Sequence, residues 1–266
     1  MKKFLGMALL VMLGHVVLAQ VDSAKIKSTY KNGTYYSHQN DTTKNKKGKL
    51  SYASLNLKNR PNDHFMIEFS YDNWIGKTDS MNTAGFSRGF AMYFMYDFPF
   101  KSDPHFSVGA GIGIDASNIF FDKTEVLVAA PGNQTLAFPS TANTEHFKKY
   151  KLVLTNLEVP LELRYAFNPA NTNKSWKIAL GFKGGFLLSA YTKGKDLLNQ
   201  AGQTENSYIE KKSSTNFFNG GRIVGTARVS YGFIGVFGQL QLTPLIKNGA
   251  GPTVNPYSIG IVLSGL

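Results

Sequence analysis

The sequence predicts an all-β fold: an eight-stranded antiparallel transmembrane β-barrel with up-and-down strand order and a filled lumen. Three observations predict it. The 266-residue chain is 42% hydrophobic and 13% aromatic but only 17% charged, whereas soluble domains carry about 25% charged residues. Apolar residues alternate with small or polar ones over eight long runs. The links between these runs alternate between long and short, as they do in outer-membrane barrels.

The first 19 residues have the three parts of a secretory signal peptide. Lys2 and Lys3 form the basic start, an apolar run follows, and Val17-Leu18-Ala19 provides a cleavage site. The apolar run is shorter than the roughly 20 residues that a membrane-spanning helix needs. We therefore expect cleavage near Ala19, followed by a largely disordered periplasmic tail over 20–62 that is rich in Lys, Asn, Ser and Thr. Weak alternation at 50–57 leaves open an extra strand or a docked segment there.

The eight predicted strands begin near residue 63 and define a barrel domain over 63–266. The first run puts Phe65, Ile67 and Phe69 on one face, and Glu68 and Asp72 on the other. The next seven runs repeat this pattern at 89–98, 106–115, 157–167, 176–189, 221–231, 236–243 and 257–264. Their apolar faces include, in order, Phe90, Ile112, Leu161, Phe182, Val229, Leu240 and Ile259.

Three details favour a membrane barrel over a soluble β-sandwich. The runs are about 10 to 14 residues long, whereas soluble strands centre near 5–6 residues and transmembrane strands need about 9–11. Their polar faces hold many Gly, Ala and Ser residues and few charges, as a narrow lumen requires. Aromatic residues gather at the ends of the runs, as in an interfacial girdle: Phe98, Phe100, Phe106, Tyr165, Phe167, Trp176, Tyr231, Phe233 and Tyr257.

The link lengths support the same conclusion independently. The predicted short links are 99–104, 168–175 and 232–235, and the predicted long links are 77–88, 117–150, 193–220 and 246–255. Outer-membrane barrels combine short periplasmic turns with longer external loops, whereas a Greek-key sandwich has no reason to alternate in this way. The sequence therefore predicts that both ends of the barrel domain are periplasmic and that the long loops are external.

One strand and the closing hairpin resemble a known family. The segment from Leu157 to Leu163, LEVPLEL, resembles the LEIPLLL strand of PorT-like outer-membrane β-barrel proteins of Bacteroidetes, and 251–260 is similar to their last hairpin. The resemblance covers 63–266 and implies an outer-membrane location and a role in the envelope, with type IX protein secretion as the role of PorT itself. The terminal Leu266 departs from the aromatic residue that usually ends a barrel-insertion signal.

Charged residues on the inward faces are the candidate site. An eight-stranded barrel encloses a space that side chains just fill, and buried charges are costly unless they are paired. We expect a structural polar network in the lumen, and a narrow polar conduit is the alternative. Its predicted members are Glu68, Asp72, Glu158, Glu162, Arg164, Lys183, Arg222 and Arg228.

Signals for catalysis, cofactors or metals are weak. Gly85-Phe86-Ser87-Arg88-Gly89 matches the G-x-S-x-G pattern, but it opens a predicted strand rather than the strand-to-helix turn that a nucleophile requires. The chain has no Cys, and its His and carboxylate spacings suggest no metal site. We expect a non-enzymatic structural or interaction protein without a cofactor. An outer-membrane lipid-modifying enzyme and a small-solute pore are the alternatives.

The formal net charge of +12 reflects dispersed lysines rather than a nucleic-acid-binding patch. Three lysine groups, at 148–151, 193–195 and 211–212, lie in or beside the predicted external loops. They would either face outer-membrane lipids and the anionic headgroups of lipopolysaccharide or be merely solvated. We also expect an envelope protein partner that docks on loops 117–150 and 193–220.

Overall fold

The fold was obtained as a computed structural model that describes residues 65–128, 132 and 134–265. The predicted signal peptide (1–19), the predicted tail (20–62) and the possible strand at 50–57 lie outside the described residues. The strands are β1 (Phe65–Ile75), β2 (Arg88–Pro99), β3 (Phe106–Phe121), β4 (His146–Ala166), β5 (Trp176–Leu198), β6 (Thr204–Ser213), β7 (Gly221–Tyr231), β8 (Ile234–Gln241) and β9 (Asn255–Ser264). A short 3-10 helix spans Thr172–Lys174. No helix among these residues is long and apolar enough to cross a bilayer.

Eight of the nine strands in the described residues close into an antiparallel barrel. The neighbours around it are β1, β2, β3, β4, β5, β7, β8 and β9, and β9 pairs back onto β1. Closure leaves no unpaired edge in the ring, which is the condition for a sheet to span lipid. The predicted eight-stranded antiparallel barrel is thus confirmed.

The two ends of the barrel differ in their connections. One end carries the short turns 100–105, 167–175 and 232–233. The start of β1 and the end of β9 lie at the same end, and the N–H of Gly265 donates to the carbonyl of Phe65 there. The other end carries the longer connections 76–87, 122–145 and 242–254. Because outer-membrane barrels have short periplasmic turns and longer external loops, we call the end with the short turns the periplasmic end and the end with the long connections the external end.

A belt of apolar side chains covers the outside of the barrel. Large hydrophobic residues stand exposed on every barrel strand, for example Phe90, Leu161, Phe182, Val236 and Ile259, at 44–61%. Soluble proteins rarely expose an apolar patch of this extent, whereas hydrocarbon chains solvate it well. Aromatic rings cluster at the periplasmic end of the belt, where the ring contacts include Phe106–Tyr165, Tyr165–Phe167 and Trp176–Tyr231.

The predicted external loops 117–150 and 193–220 are longer than the connections in the structure. β3 continues to Phe121 and β4 starts at His146, while β5 continues to Leu198 and β6 follows it as an additional strand. β7 pairs with the part of β5 nearer the periplasmic end, from Trp176 to Phe186. β6 pairs with the part of β5 nearer the external end, from Tyr191 to Leu198.

Three strands therefore project beyond the barrel. We call residues 146–155 of β4, 189–198 of β5 and 204–213 of β6 the external sheet. Two features hid it in the sequence. Lysines replace apolar residues on its outer face, and a register shift opposite Thr155 and Asn156 leaves Leu188 of β5 as an extra residue, which breaks the alternation along β5.

Candidate functional site

The lumen contains a charged layer, and its periplasmic side is built around Glu162. Glu162 Oε2 accepts from Arg164 Nε at 2.9 Å and from Arg228 Nη2 at 2.6 Å. Arg164 Nη1 also lies 3.6 Å from Asp97 Oδ1. These side chains come from β2, β4 and β7, so the contacts cross the barrel interior as well as linking neighbouring strands. One buried carboxylate thereby holds two guanidinium groups.

Lys183 of β5 occupies the middle of the charged layer and is fully buried. Its Nζ donates to Glu68 Oε2 at 2.6 Å, to Gln239 Oε1 at 2.9 Å and to Tyr93 Oη at 3.2 Å. The ammonium also lies 4.5 Å from the centroid of the Tyr93 ring. All three N–H donors therefore have acceptors, which a buried ammonium requires.

Tyr93 links this ammonium to the next group of charges. Its hydroxyl donates to Glu158 Oε2 at 2.6 Å while it accepts from Lys183. Glu158 also pairs with Arg222, whose Nη2 lies 3.1 Å from Asp115 Oδ2. Hydrogen bonds and ion pairs thus run unbroken from Glu68 to Asp115 across the interior.

Small residues make room for the long cations. A Cβ built on Gly109 of β3 would lie 2.5 Å from Arg164 Nε, and one on Gly185 of β5 would lie 3.0 Å from Arg222 Cγ. The inward glycines are therefore needed for close approach by arginine side chains.

All eight side chains predicted for the network lie inside the barrel. The structure joins seven of them through ion pairs: Glu68, Glu158, Glu162, Arg164, Lys183, Arg222 and Arg228. The eighth, Asp72, lies nearer the external end, where it accepts from the hydroxyls of Ser70 at 2.6 Å and Ser117 at 2.5 Å.

Sequence reasoning missed three members of the charged layer, Tyr93, Asp97 and Asp115. Each has the inward parity of its strand, so the alternation already placed them beside the predicted residues. Their pairing depends on register between strands distant in sequence, which alternation alone does not supply.

Above the charged layer, the lumen is filled by an apolar plug. We use this name for the buried cluster formed by inward strand ends and by the external connections; its members are Trp74, Met81, Ile119, Phe121, Val126, Val128, Leu136, Phe138, Tyr150, Leu152, Leu154, Ala190, Phe217, Phe218, Leu245, Ile246 and Val254. Trp74 lies edge-on to Phe121 at 5.8 Å and to Phe138 at 6.4 Å. Tyr150 ties the β3–β4 connection down, since its hydroxyl bonds both the N–H and the carbonyl of Val126.

The lumen contains little empty space. Two cavities of about 20 Å³ each lie in the lumen, one beside Asp97 and Arg164 and the other beside Asp72 and Arg222. A cavity of that size holds little more than one water molecule. The geometry is therefore that of a packed interior.

A larger cavity, of about 210 Å³, lies on the inner side of the external sheet; we call it the external cleft. Phe147 stacks on Tyr150 at 6.0 Å and meets Tyr208 edge-on at 5.8 Å. Lys212 Nζ lies 2.7 Å from Glu210 Oε1 and 3.2 Å from Glu125 Oε1. The hydrogen bond that Lys212 donates to Glu210 is the main cause that raises the pKa of Lys212. The cleft therefore combines aromatic rings with charges of both signs.

The weak catalytic signal has a structural explanation. Ser87, at the centre of the G-x-S-x-G match, is buried, and its hydroxyl accepts from the N–H of Phe120 at 3.1 Å. It joins the β1–β2 connection to the end of β3. Across 65–128, 132 and 134–265, no group of three or more His, Cys, Asp or Glu residues is placed to hold a metal ion.

Comparison with known proteins identifies the family. Two solved structures of Ail, the attachment invasion locus protein of Yersinia pestis, align with this chain, and each alignment covers 77% of this chain and 98% of Ail. The first has 10% sequence identity and a TM-score of 0.33. The second, in complex with the heparin analogue sucrose octasulfate, has 11% identity and a TM-score of 0.32. No curated protein matches the sequence. The family model described as outer membrane protein beta-barrel domain matches residues 56–244. The chain therefore belongs to the outer membrane protein β-barrel domain family and is an outer-membrane β-barrel protein.

Proposed function

We propose that this barrel is a non-enzymatic interaction protein of the cell envelope that docks a protein partner at its external end. One observation carries the proposal: the lumen is filled at two levels, while an ordered sheet with an open cleft projects beyond the membrane belt. A filled interior favours a function outside the lumen. The projecting sheet is the part of the molecule that membrane insertion does not require.

The charged layer supports a closed barrel over a pore. Each buried ion carries a desolvation penalty of several kcal/mol, which only close partners offset. Lys183 and Glu162 each have two or more such partners within 3.2 Å. An ion entering the lumen would have to displace these partners. We therefore assign the network a structural role.

The external cleft has the composition of a protein-docking site. Interface hot spots are enriched in Trp, Tyr and Arg side chains that sit in pockets. Tyr208 is 38% exposed at the cleft, and Phe147 packs behind it. Lys212, between Glu125 and Glu210, offers charges of both signs to a partner.

The resemblance to PorT-like proteins supports a secretion component as the first partner to test. Export with cleavage near Ala19 would deliver the barrel to the membrane where such machinery works. The expected partners then divide between the two faces of the external sheet. A protein occupies the cleft side, and outer-membrane lipids with lipopolysaccharide meet the outward side.

Site-specific crosslinking in intact outer membranes tests the docking proposal. A photo-crosslinking residue placed at Tyr208 should give one discrete protein adduct, and the change Glu210→Lys should abolish it. The same residue at Ile209, which is exposed but pairs with Lys195 on the outward face, is the matched control and should give no such adduct. Equal adducts at both positions, or none at Tyr208 in a correctly folded barrel, would reject the proposal.

An enzyme assay tests the other half of the proposal. Purified barrel incubated with labelled lipopolysaccharide should leave every acyl chain and phosphate in place. Release or transfer of the label would show a lipid-modifying enzyme instead.

A further inference from the structure

The outward faces of β4 and β5 change from apolar to basic at the external border of the belt. On β4, Val159 and Leu157 face outward in the belt, and Lys151 follows higher on the same face. On β5, Phe186 is followed by Tyr191 and then Lys193. These lysines therefore lie where the headgroups of the outer leaflet begin.

Strand register concentrates the positive charge into one row. Lys151 is the direct cross-strand neighbour of Lys193, and Lys193 is the direct neighbour of Lys211 on β6. Like charges directly opposite one another destabilise a sheet. Repulsion within the row therefore destabilises the sheet locally, and a bound anion would reduce this repulsion.

Arg88 of β2 extends the row toward β1. Its guanidinium lies 5.4 Å from the centroid of the Phe120 ring, and Lys151 Nζ lies 5.7 Å from the same centroid. Asn118 Oδ1 accepts from Lys151 Nζ at 2.7 Å, and Lys211 Nζ lies 4.1 Å from the Tyr191 centroid. Aromatic faces and an amide hold these cations in place.

We call Arg88, Lys151, Lys193 and Lys211 the basic rim. Within the part of the chain that the structure describes, none of the four forms an ion pair with a carboxylate; by contrast, neighbouring Lys195 lies 4.0 Å from Asp196 and Lys212 is paired twice. Partial burial, followed by Lys193 and Arg88, lowers the pKa of Lys151. The rim is thus preorganised and lacks a counter-charge.

An apolar groove lies directly below Arg88 on the lipid-facing surface. It has a volume of about 490 Å³ and is lined by Phe69, Phe86, Phe90, Ile259 and Ile261, with Arg88 and Asn118 at its upper edge. A groove of this kind suits a hydrocarbon chain whose headgroup is anionic.

Building on the proposed contact of the outward face with lipopolysaccharide, we propose that the basic rim and this groove form one binding site for a phosphorylated lipid of the outer leaflet, with lipopolysaccharide as the occupant. The phosphates of its lipid A lie on Arg88, Lys151, Lys193 and Lys211. One acyl chain lies in the groove beneath Arg88. The site is separate from the external cleft, which lies on the other face of the external sheet.

Lipid A binding by the full chain in phosphatidylcholine nanodiscs tests this site. The triple variant Lys151→Gln/Lys193→Gln/Lys211→Gln should bind lipid A about 100-fold more weakly than the wild type. The matched control Lys101→Gln/Lys174→Gln/Lys247→Gln removes the same charge from exposed positions outside the rim and should bind within twofold of the wild type. The corresponding Lys→Arg triple variant should retain binding. Wild-type affinity in the Gln triple variant, or an equal loss in the control, would overturn the proposal.

Two lipid probes separate the contributions of the headgroup and the acyl chain. Removal of the phosphates from lipid A should weaken its binding to the wild type. The expected fold-change equals that caused by the Gln triple substitution with intact lipid A. The deacylated, water-soluble phosphorylated disaccharide should bind at least tenfold more weakly than lipid A. Equal binding of the deacylated form would show a site for soluble phosphate and would reject the lipid assignment.

Discussion

The lumen of this barrel is filled in two ways, and the contrast separates what strands provide from what loops provide. The charged layer, from Asp97 to Asp115, consists of inward side chains of strands joined by ion pairs and hydrogen bonds. The apolar plug mixes strand residues such as Trp74 with loop residues such as Phe138 and Phe218. The first depends on exact pairing of charges, and the second depends on close packing of volume.

The two regions should therefore respond differently to substitution. In the charged layer, removal of one partner leaves a buried charge uncompensated, and removal of both partners can be nearly neutral. In the plug, each lost side chain leaves a cavity whose cost follows its volume. The following variants test this difference, in order of expected effect.

The largest effect is expected for Lys183→Met. It leaves Glu68 buried without its ammonium partner, so the free energy of unfolding should fall by about 3–5 kcal/mol. Urea unfolding in lipid vesicles, followed by the mobility of unboiled samples on SDS gels, measures the change. The double variant Lys183→Met/Glu68→Leu should recover most of the loss. A double variant less stable than the single variant would contradict the pairing account.

A comparable loss, with a different signature, is expected for Phe218→Ala in the plug. The side chain is 1% exposed, and its truncation should cost about 3 kcal/mol through the cavity it leaves. Truncation of a neighbouring side chain should not restore stability, because no charge is left unpaired and the cavity only becomes larger. Protease cleavage within 122–145 should become faster while the barrel remains resistant. Phe233→Ala, at an exposed lipid-facing position, is the control.

A smaller effect is expected for Tyr93→Phe. The change keeps the ring over Lys183 but removes the hydroxyl that joins Lys183 and Glu158. The cost of the unsatisfied acceptor should be about 1–3 kcal/mol by the same urea measurement. Tyr231→Phe, on the exposed outer face of β7, should change stability by less than about 0.5 kcal/mol. Equal costs at both positions would mean that the hydroxyl makes no special contribution.

The smallest effect is expected for Gly109→Ala. The new Cβ would meet Arg164, which must shift while staying paired with Glu162, and the strain should cost about 1 kcal/mol. Gly184→Ala is the matched control, because nothing lies within 4 Å of the Cβ position there. A greater loss for Gly184→Ala would contradict the packing argument.

The charged layer is the half of the interior that sequence alone can largely predict. Period-two alternation sets which residues point inward, so the predicted residues from Glu68 to Arg228 lie in the lumen. Which carboxylate meets which cation depends on register between distant strands and on reach across the barrel, as for Lys183 and Glu68, so alternation cannot specify the pairs.

The plug and the external sheet could not be predicted in the same way. Plug residues such as Val126 and Leu136 lie in connections without a repeating pattern, and they become buried only when several loops meet. In the external sheet, lysines such as Lys151 and Lys193 take the outward positions that apolar residues hold in the belt. In the sequence, their polarity is indistinguishable from that of a loop.

Single-channel recording of the full chain in a planar bilayer tests most directly whether the lumen is closed. The account predicts no ion-conducting openings for the wild type, because the charged layer and the plug each block the path. It also predicts none for Phe218→Ala, since the charged layer remains intact. Discrete openings of the wild type with a stable conductance would contradict a filled lumen and would indicate a small-solute pore.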